Sequence, residues 1–265
     1  MKGTQRYPGA DTSHWYGVRY PGSPMEVNAV VLHTTEGRTL PTYGGGASAP
    51  TLTAVPDIRR KRLLWYQHFD FDRSSRALVN RAGGVETNTL NVAQLELVGT
   101  CDERNAKTWG GKRVNVDYLF WPAAPDWALA ELAKVVRWAH DQHGVPMRST
   151  VSWKAYKKGQ QGGSYGAGNG VRLSAGQWVD YRGWLGHQHV PENSHGDPGD
   201  LDFERVLEHA RGVVRTYTVR AGDTLWDIAV SQLGSGDRWR EIATLNRLKR
   251  PDSIEPGQKL KIPKK

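Results

Sequence analysis

The sequence holds a single cysteine, Cys101, among 265 residues. An intramolecular disulfide is therefore excluded, as is any metal site built from several thiolates. A buried thiol with no special role is the expectation. No apolar run approaches the roughly eighteen residues that a membrane-spanning helix needs, so no membrane insertion is expected. The polar start, residues 1–9 with Lys2 and Arg6, is not followed by an apolar stretch. No secretory signal peptide is read there. The expectation is a chain made in the cytoplasm that reaches any target outside the membrane by another route. No convincing pair of acidic residues supports the two-carboxylate chemistry of a glycosidase.

Basic residues and tryptophan, by contrast, are plentiful. Lys and Arg number 36 against 27 Asp and Glu, a net charge of +9, and there are eleven Trp. Such a charge favours a polyanionic partner, either nucleic acid or an anionic bacterial wall. Charge alone does not choose between them, and nothing else in the sequence favours nucleic acid. Aromatic excess suits surfaces that stack on sugar rings. Hydrophobic residues make up 38% of the chain and the mean hydropathy is -0.63, which fits a globular protein with room for one medium and one small domain.

Residues 27–34, 51–55, 63–69 and 91–98 read as strands, the first nearly continuous and β-branched as in a strand buried on both faces. Residues 37–50, with Gly44-Gly45-Gly46, read as a loop. Leu129, Leu132, Val136 and Ala139 predict a helix over 127–140 with Asp126 as its cap, ended by Gly144 and Pro146. Residues 157–176 read as a long glycine-rich loop. A short helix is expected over 200–211 and a linker over 212–216.

The sharpest feature is the stretch Gly186-His187-Gln188-His189-Val190-Pro191-Glu192-Asn193-Ser194-His195-Gly196-Asp197-Pro198-Gly199. Three histidines and an aspartate fall within eleven residues. Nitrogen and carboxylate donors suit a tetrahedral zinc shell, in which three protein ligands leave one position for water. His33, at a strand end, is a further donor, although a lone histidine there is more often structural. His14, His68, His140, His143 and His209 are assigned structural roles.

These residues resemble the type 2 N-acetylmuramoyl-L-alanine amidases, the superfamily that includes the peptidoglycan recognition proteins. Val30-Val31-Leu32-His33-Thr34-Thr35 looks like the family's first-ligand strand. Gly186-His187 and Asp197-Pro198-Gly199 look like its second and third ligands, ten residues apart. The resemblance covers residues 25–210. It implies an α/β amidase domain with a central mixed β-sheet flanked by helices, and zinc held by His33, His187 and Asp197. His189 competes with His187, because on a strand both would point the same way; the family places its ligand directly after the glycine, which favours His187. Glu96, in Gln94-Leu95-Glu96-Leu97, resembles the family's general base. His195, two positions before the third ligand, would stabilise an oxyanion or donate a proton. Relatives carry Tyr or His on the strand after the first-ligand loop. Here Ala49-Pro50-Thr51-Leu52-Thr53 offers neither, and Tyr43 lies nearby without an assigned role.

From residue 217 the pattern changes. Tyr217-Thr218-Val219-Arg220-Ala221-Gly222-Asp223-Thr224-Leu225-Trp226 resembles the opening of a LysM domain, and Ile254-Glu255-Pro256-Gly257-Gln258-Lys259-Leu260 its close. The resemblance implies a small βααβ unit that binds N-acetylglucosamine-containing glycans through Gly222, Asp223, Thr224, Leu225, Ile254, Pro256 and Gly257. The organisation expected is an amidase domain over 1–211, the linker, and the LysM domain over 217–265. Together these imply a monomeric, endolysin-like peptidoglycan hydrolase of phage type. It would cut between N-acetylmuramic acid and L-alanine of the stem peptide, and act on the wall after holin-dependent release or lysis. A zinc peptidase cutting within the stem peptide and a non-catalytic peptidoglycan-binding protein are the alternatives.

Overall fold

The computed structural model describes residues 3–89, 91–156, 170–212 and 215–263. In chain order the elements are β1 (Ala29–Thr34), a single turn α1 (Tyr43–Gly46), β2 (Leu52–Asp57), β3 (Arg62–Gln67) and β4 (Val92–Leu97). There follow a two-residue hairpin, β5 (Thr108–Trp109) and β6 (Lys112–Arg113), then α2 (Asp126–His143), α3 (Ala175–Asp180), β7 (Gly183–Gly186) and α4 (Phe203–Ala210). The last elements are β8 (Arg215–Thr218), α5 (Leu225–Leu233), α6 (Trp239–Leu245) and β9 (Lys259–Ile262). The fold is mixed α/β, a central mixed sheet with flanking helices followed by a small βααβ unit. No helix among the described residues is long and apolar enough to cross a membrane.

The central sheet runs β3-β2-β4-β1-β7. Strand β1 pairs in parallel with both β4 and β7, and β2 in parallel with β4; only β2 and β3 are antiparallel. All six residues of β1 are buried. That is why its sequence is nearly continuous rather than alternating: a parallel strand covered on both faces has no side to give to water. Trp178 and Tyr181, at and just beyond the end of α3, pack with Ala29, Val31 and Leu185 on one sheet face. Trp184 of β7 stacks on Phe203 at 5.7 Å. Helix α2 packs along β3, where Glu131 Oε2 accepts the Leu63 N–H at 3.2 Å.

Several boundaries differ from those expected. Helix α2 runs on to His143 and ends at left-handed Gly144 (φ 72°). Its cap position is Pro125, not Asp126, which lies in the first turn. There its charge complements the helix dipole. Residues 157–169 of the expected long loop lie outside the described residues; its end enters α3, started by a capping box between Ser174 and Gln177. Tyr43–Gly46 forms a turn with Gly44 and Gly45 left-handed (φ 59° and 68°).

The chain divides into two compact units, Met1–Glu204 and Arg205–Lys265, and β8 begins at Arg215. In the second unit β8 and β9 form an antiparallel pair. Leu225, Ile228, Ala229 and Leu233 of α5 meet Ile242 and Ala243 of α6 and Leu260 and Ile262 of β9 in one buried cluster. Thr224 caps α5 by accepting the Asp227 N–H at 3.1 Å.

Candidate metal centre

The register of the parallel strands assembles the site. Thr53 of β2 pairs with Glu96 of β4, and Glu96 pairs with His33 of β1. Paired residues share a sheet face, so the three stand in a row, with His33 and Glu96 near the carboxyl ends of β1 and β4, the usual place for a site in an open α/β sheet, and Thr53 at the start of β2. His187 follows directly on the end of β7.

The loop that carries Asp197 returns onto this strand end. Gln188 N–H donates to Asp197 O at 3.0 Å. A Cβ on Gly186 would lie 2.6 Å from Pro198 Cδ, so only glycine admits the loop so close. Arg172 secures the segment from the other side, donating to the backbone oxygens of His187 (3.2 Å), Val190 (2.8 Å) and His195 (2.7 Å).

His33, His187 and Asp197, all buried, are the group among the described residues whose donor atoms converge. His33 Nδ1 and His187 Nδ1 are 3.1 Å apart. Asp197 Oδ1 lies 3.3 Å from His187 Nδ1, and Oδ2 lies 3.7 Å from His33 Nδ1. A tetrahedral zinc with bonds of about 2.0–2.2 Å needs donor separations of about 3.4 Å. The 3.1 Å between the two imidazole nitrogens is close to that value, and a carboxylate oxygen of Asp197 lies within 4.8 Å of both, so the nitrogen and oxygen donors fit a zinc ion. Burial, then the neighbouring His187, holds the His33 imidazole down to about 3, which keeps it neutral and able to ligate. Burial opposes ionisation of Asp197, but His187, His33 and His195 outweigh it and hold its carboxyl below the usual range. Thr34 N–H donates to Asp197 Oδ2 at 3.1 Å.

Glu96 is half-buried. Its Oε2 is shut off from water and has no hydrogen-bond partner among the described residues. Burial first, then the negative Asp197 and Glu36, raise its pKa well above the carboxylate range. Glu36 is held by Thr34 Oγ1 (2.8 Å), Thr100 Oγ1 (2.5 Å) and the Cys101 N–H (2.8 Å). The thiol of Cys101 is free and buried.

The remaining predicted residues divide. His189 is turned away: its Nδ1 accepts the Gly186 N–H at 2.9 Å and its Nε2 meets the Ser152 carbonyl at 3.1 Å. His195 stands at the mouth with its side chain 63% exposed, Nδ1 3.9 Å from Asp197 Oδ1. Burial of part of its ring lowers its pKa, against the pull of Asp197.

Sequence reasoning missed three features. Arg172 is one. Asn193, whose Oδ1 lies 3.2 Å from His187 Nε2, is another. The third is a buried chain on β2, where Tyr43 OH meets Thr53 Oγ1 at 2.7 Å and Thr53 Oγ1 meets His68 Nε2 at 2.9 Å. A tyrosine and a histidine thus reach the strand that carries neither.

In the second unit a cavity of about 330 Å³ is lined by Asp223, Thr224, Leu225, Trp226, Trp239, Pro251, Asp252 and Ile254. It gathers four of the seven residues singled out for glycan binding. Gly222, Pro256 and Gly257 are not in its wall. Gly222 and Gly257 are left-handed (φ 86° and 87°), and the Gly257 N–H donates to Val219 O at 2.8 Å. The two tryptophans were not anticipated there; Trp226 is 50% exposed.

Comparison with known proteins finds likeness to YqbP of Bacillus subtilis (strain 168), 40% identical over 65 residues, covering 20% of this chain and 30% of that protein. A protein of Deinococcus radiodurans is 47% identical over 73 residues, covering 24% of this chain and 29% of its own length. The chain therefore spans less than a third of the length of these relatives. Among solved structures, that of a PlyL point mutant is similar at a TM-score of 0.32 and 12% identity, over 52% of this chain and 75% of that one. Residues 217–263 match the LysM domain family, and the βααβ unit at the end of the chain is a LysM domain.

Proposed function

We propose that this chain is a zinc-dependent N-acetylmuramoyl-L-alanine amidase. It cuts the amide between N-acetylmuramic acid and L-alanine of the peptidoglycan stem peptide. Its catalytic domain is taken as residues 1–211 and its glycan-binding domain as 215–265, opened by β8, with a short linker between. The observation that carries the reading is the convergence of His33, His187 and Asp197, with Glu96 beside His33 on the same sheet face.

His33, His187 and Asp197 would hold the zinc, which when bound would activate a water and polarise the substrate carbonyl. Glu96 accepts a proton from the attacking water and hands it to the departing alanine nitrogen. Partial burial, which favours the protonated carboxyl, makes Glu96 a stronger base than an exposed carboxylate. His195, at the mouth, donates a hydrogen bond to the oxyanion that develops on the lactyl carbonyl, a contribution of about 3 kcal/mol. Thr34 N–H and the Gly186 contact keep Asp197 in place.

The LysM domain holds the enzyme on N-acetylglucosamine-containing glycan, with Asp223, Thr224, Leu225 and Ile254 in the cavity wall and Gly222, Pro256 and Gly257 shaping its turns. Tethering to an insoluble polymer raises the effective concentration of substrate at the catalytic site. The net charge of +9 suits an anionic wall. The setting proposed is that of a monomeric phage-type lytic enzyme that reaches the wall on release from the cell.

The test is digestion of purified peptidoglycan by wild type, His187→Ala and His189→Ala, with products read by mass spectrometry and bound zinc by elemental analysis. Stem peptides beginning at L-alanine, with zinc and activity lost in His187→Ala but zinc kept in His189→Ala, are expected. Intact muramyl-alanine links with cuts elsewhere would replace the amidase by a peptidase. Zinc-independent wall binding without any cut would leave a recognition protein.

A further inference from the structure

Something must aim the His187 ring. It is buried with both nitrogens engaged, Nδ1 toward His33 and Asp197 and Nε2 toward Asn193 Oδ1 at 3.2 Å. Asn193 is also buried, and its amide can sit only one way round. Its Nδ2 lies against the carbonyl oxygens of Pro191 (3.0 Å) and Val79 (3.4 Å). Its Oδ1 accepts the Val79 N–H at 3.1 Å. Carbonyls only accept and a backbone N–H only donates, so a flipped amide would set like against like at these three contacts. Oδ1 therefore faces His187, and the Nε2 of His187 must carry the hydrogen. A neutral imidazole has one N–H, so Nδ1 is left bare, with its lone pair directed into the His33–Asp197 cluster.

We infer that Asn193 is a positioning residue for the metal centre, fixing both the tautomer and the ring plane of His187. This rests on reading His33, His187 and Asp197 as metal ligands. The loop of residues 79–87 holds Asn193 in turn. Val79 engages it through both backbone groups, Thr87 Oγ1 donates to Val79 O at 2.8 Å, and the Val85 N–H donates to Glu192 Oε2 at 3.0 Å. The three ligands are thus fixed by different means: His33 by its strand, Asp197 by the Thr34 N–H, and His187 by Asn193. His33 Nε2 has no partner among the described residues, so no comparable device orients that ring.

A partner on the far nitrogen of a ligating imidazole is worth about 10- to 100-fold in metal affinity. Zinc titration of the metal-free full chain tests this on wild type, Asn193→Leu and Asn193→Asp, with thermal unfolding as the fold control. Asn193→Leu is expected to bind zinc about 10- to 100-fold more weakly, and Asn193→Asp, which keeps an acceptor for Nε2–H but sets a second oxygen against the Pro191 and Val79 carbonyls, to bind it more tightly than Asn193→Leu. Long-range proton–nitrogen spectra of the zinc-free wild type are expected to show His187 as the Nε2–H tautomer. That measurement decides even if Asn193→Leu fails to fold. An Nδ1–H tautomer in wild type, or equal zinc affinity in wild type and a folded Asn193→Leu, overturns the inference alone. No zinc uptake by wild type overturns the metal reading beneath it.

Discussion

Replacing Gly186 by alanine is the smallest change expected to disable the centre without touching a polar atom in it. Gly186 has φ -100° and ψ 166°, extended backbone that alanine adopts freely, so the effect is purely steric. The new methyl would stand 2.6 Å from Pro198 Cδ, 2.9 Å from Trp153 Cζ3 and 3.2 Å from Asp197 O. Carbon atoms rest about 3.5–4.0 Å apart, so Pro198 must retreat by about 1 Å. Asp197 is bonded to Pro198, and its carboxylate must hold 3.3 Å to His187 and 3.7 Å to His33. Functional constellations tolerate about 0.5 Å. Overpacking of this kind costs about 1–3 kcal/mol, or roughly 2–12 °C for a domain of this size. The assay is calorimetric unfolding of the zinc-free protein beside zinc titration. Gly176→Ala is the control, because nothing lies within 4 Å of a Cβ there; in helix α3 it should add up to about 1 kcal/mol of stability. A Gly186→Ala protein that unfolds at the wild-type temperature and binds zinc as tightly would refute the claim that this close approach positions Asp197.

Other perturbations separate chemistry from stability. Glu96→Gln resembles the protonated carboxyl that burial favours at this position, so unfolding temperature should hold or rise while turnover falls by about 10²- to 10⁴-fold; a variant that keeps its rate would remove Glu96 from catalysis. His68 is buried with its pKa lowered to about 4, against 6.5 when unfolded. The unfolded chain therefore takes the proton first as pH falls, so this contribution is whole above pH 6.5 and fades toward pH 4, by about 3 kcal/mol. Denaturant melts should lose that slope in His68→Gln, and an unchanged slope there would assign the acid sensitivity to other groups. Trp226→Ala should weaken binding to chitin-type oligosaccharides at little cost in stability, since half of the side chain is exposed, whereas Ile228→Ala in the buried cluster should cost about 2–5 kcal/mol.

What could be read from the sequence follows from which forces are local. The unbroken apolar run of β1 and the periodic face of α2 are written in consecutive residues, and both elements lie where the pattern puts them. The cap of α2 was misplaced by one position because Asp126 lies inside the first turn, where its charge favours the helix N-terminus. Helix α3 hides at the end of a glycine-rich stretch, but Ser174 and Gln177 spell its capping box. Tyr43 and His68 could not be tied to β2 beforehand. Their link is a hydroxyl, Thr53 Oγ1, reached from ten residues before and fifteen after, and hydrogen bonds of that kind leave no periodic trace.

The choice between His187 and His189 shows most plainly what the sequence lacked. Two residues apart on a strand, both rings would face the same side, and either could ligate. The strand stops at Gly186, however, and His187–His189 forms a single 3₁₀ turn. At about 120° per residue, positions two apart in such a turn point about 120° away from each other. Where β7 ends therefore decides which histidine faces the cluster. The end itself is set by contacts remote in sequence, the Asp197–Pro198 loop against Gly186 and the Arg172 guanidinium on the His187 carbonyl. His189, with Nδ1 taken by the Gly186 N–H and Nε2–H given to Ser152 O, has no lone pair left to offer. It fastens the turn that presents His187.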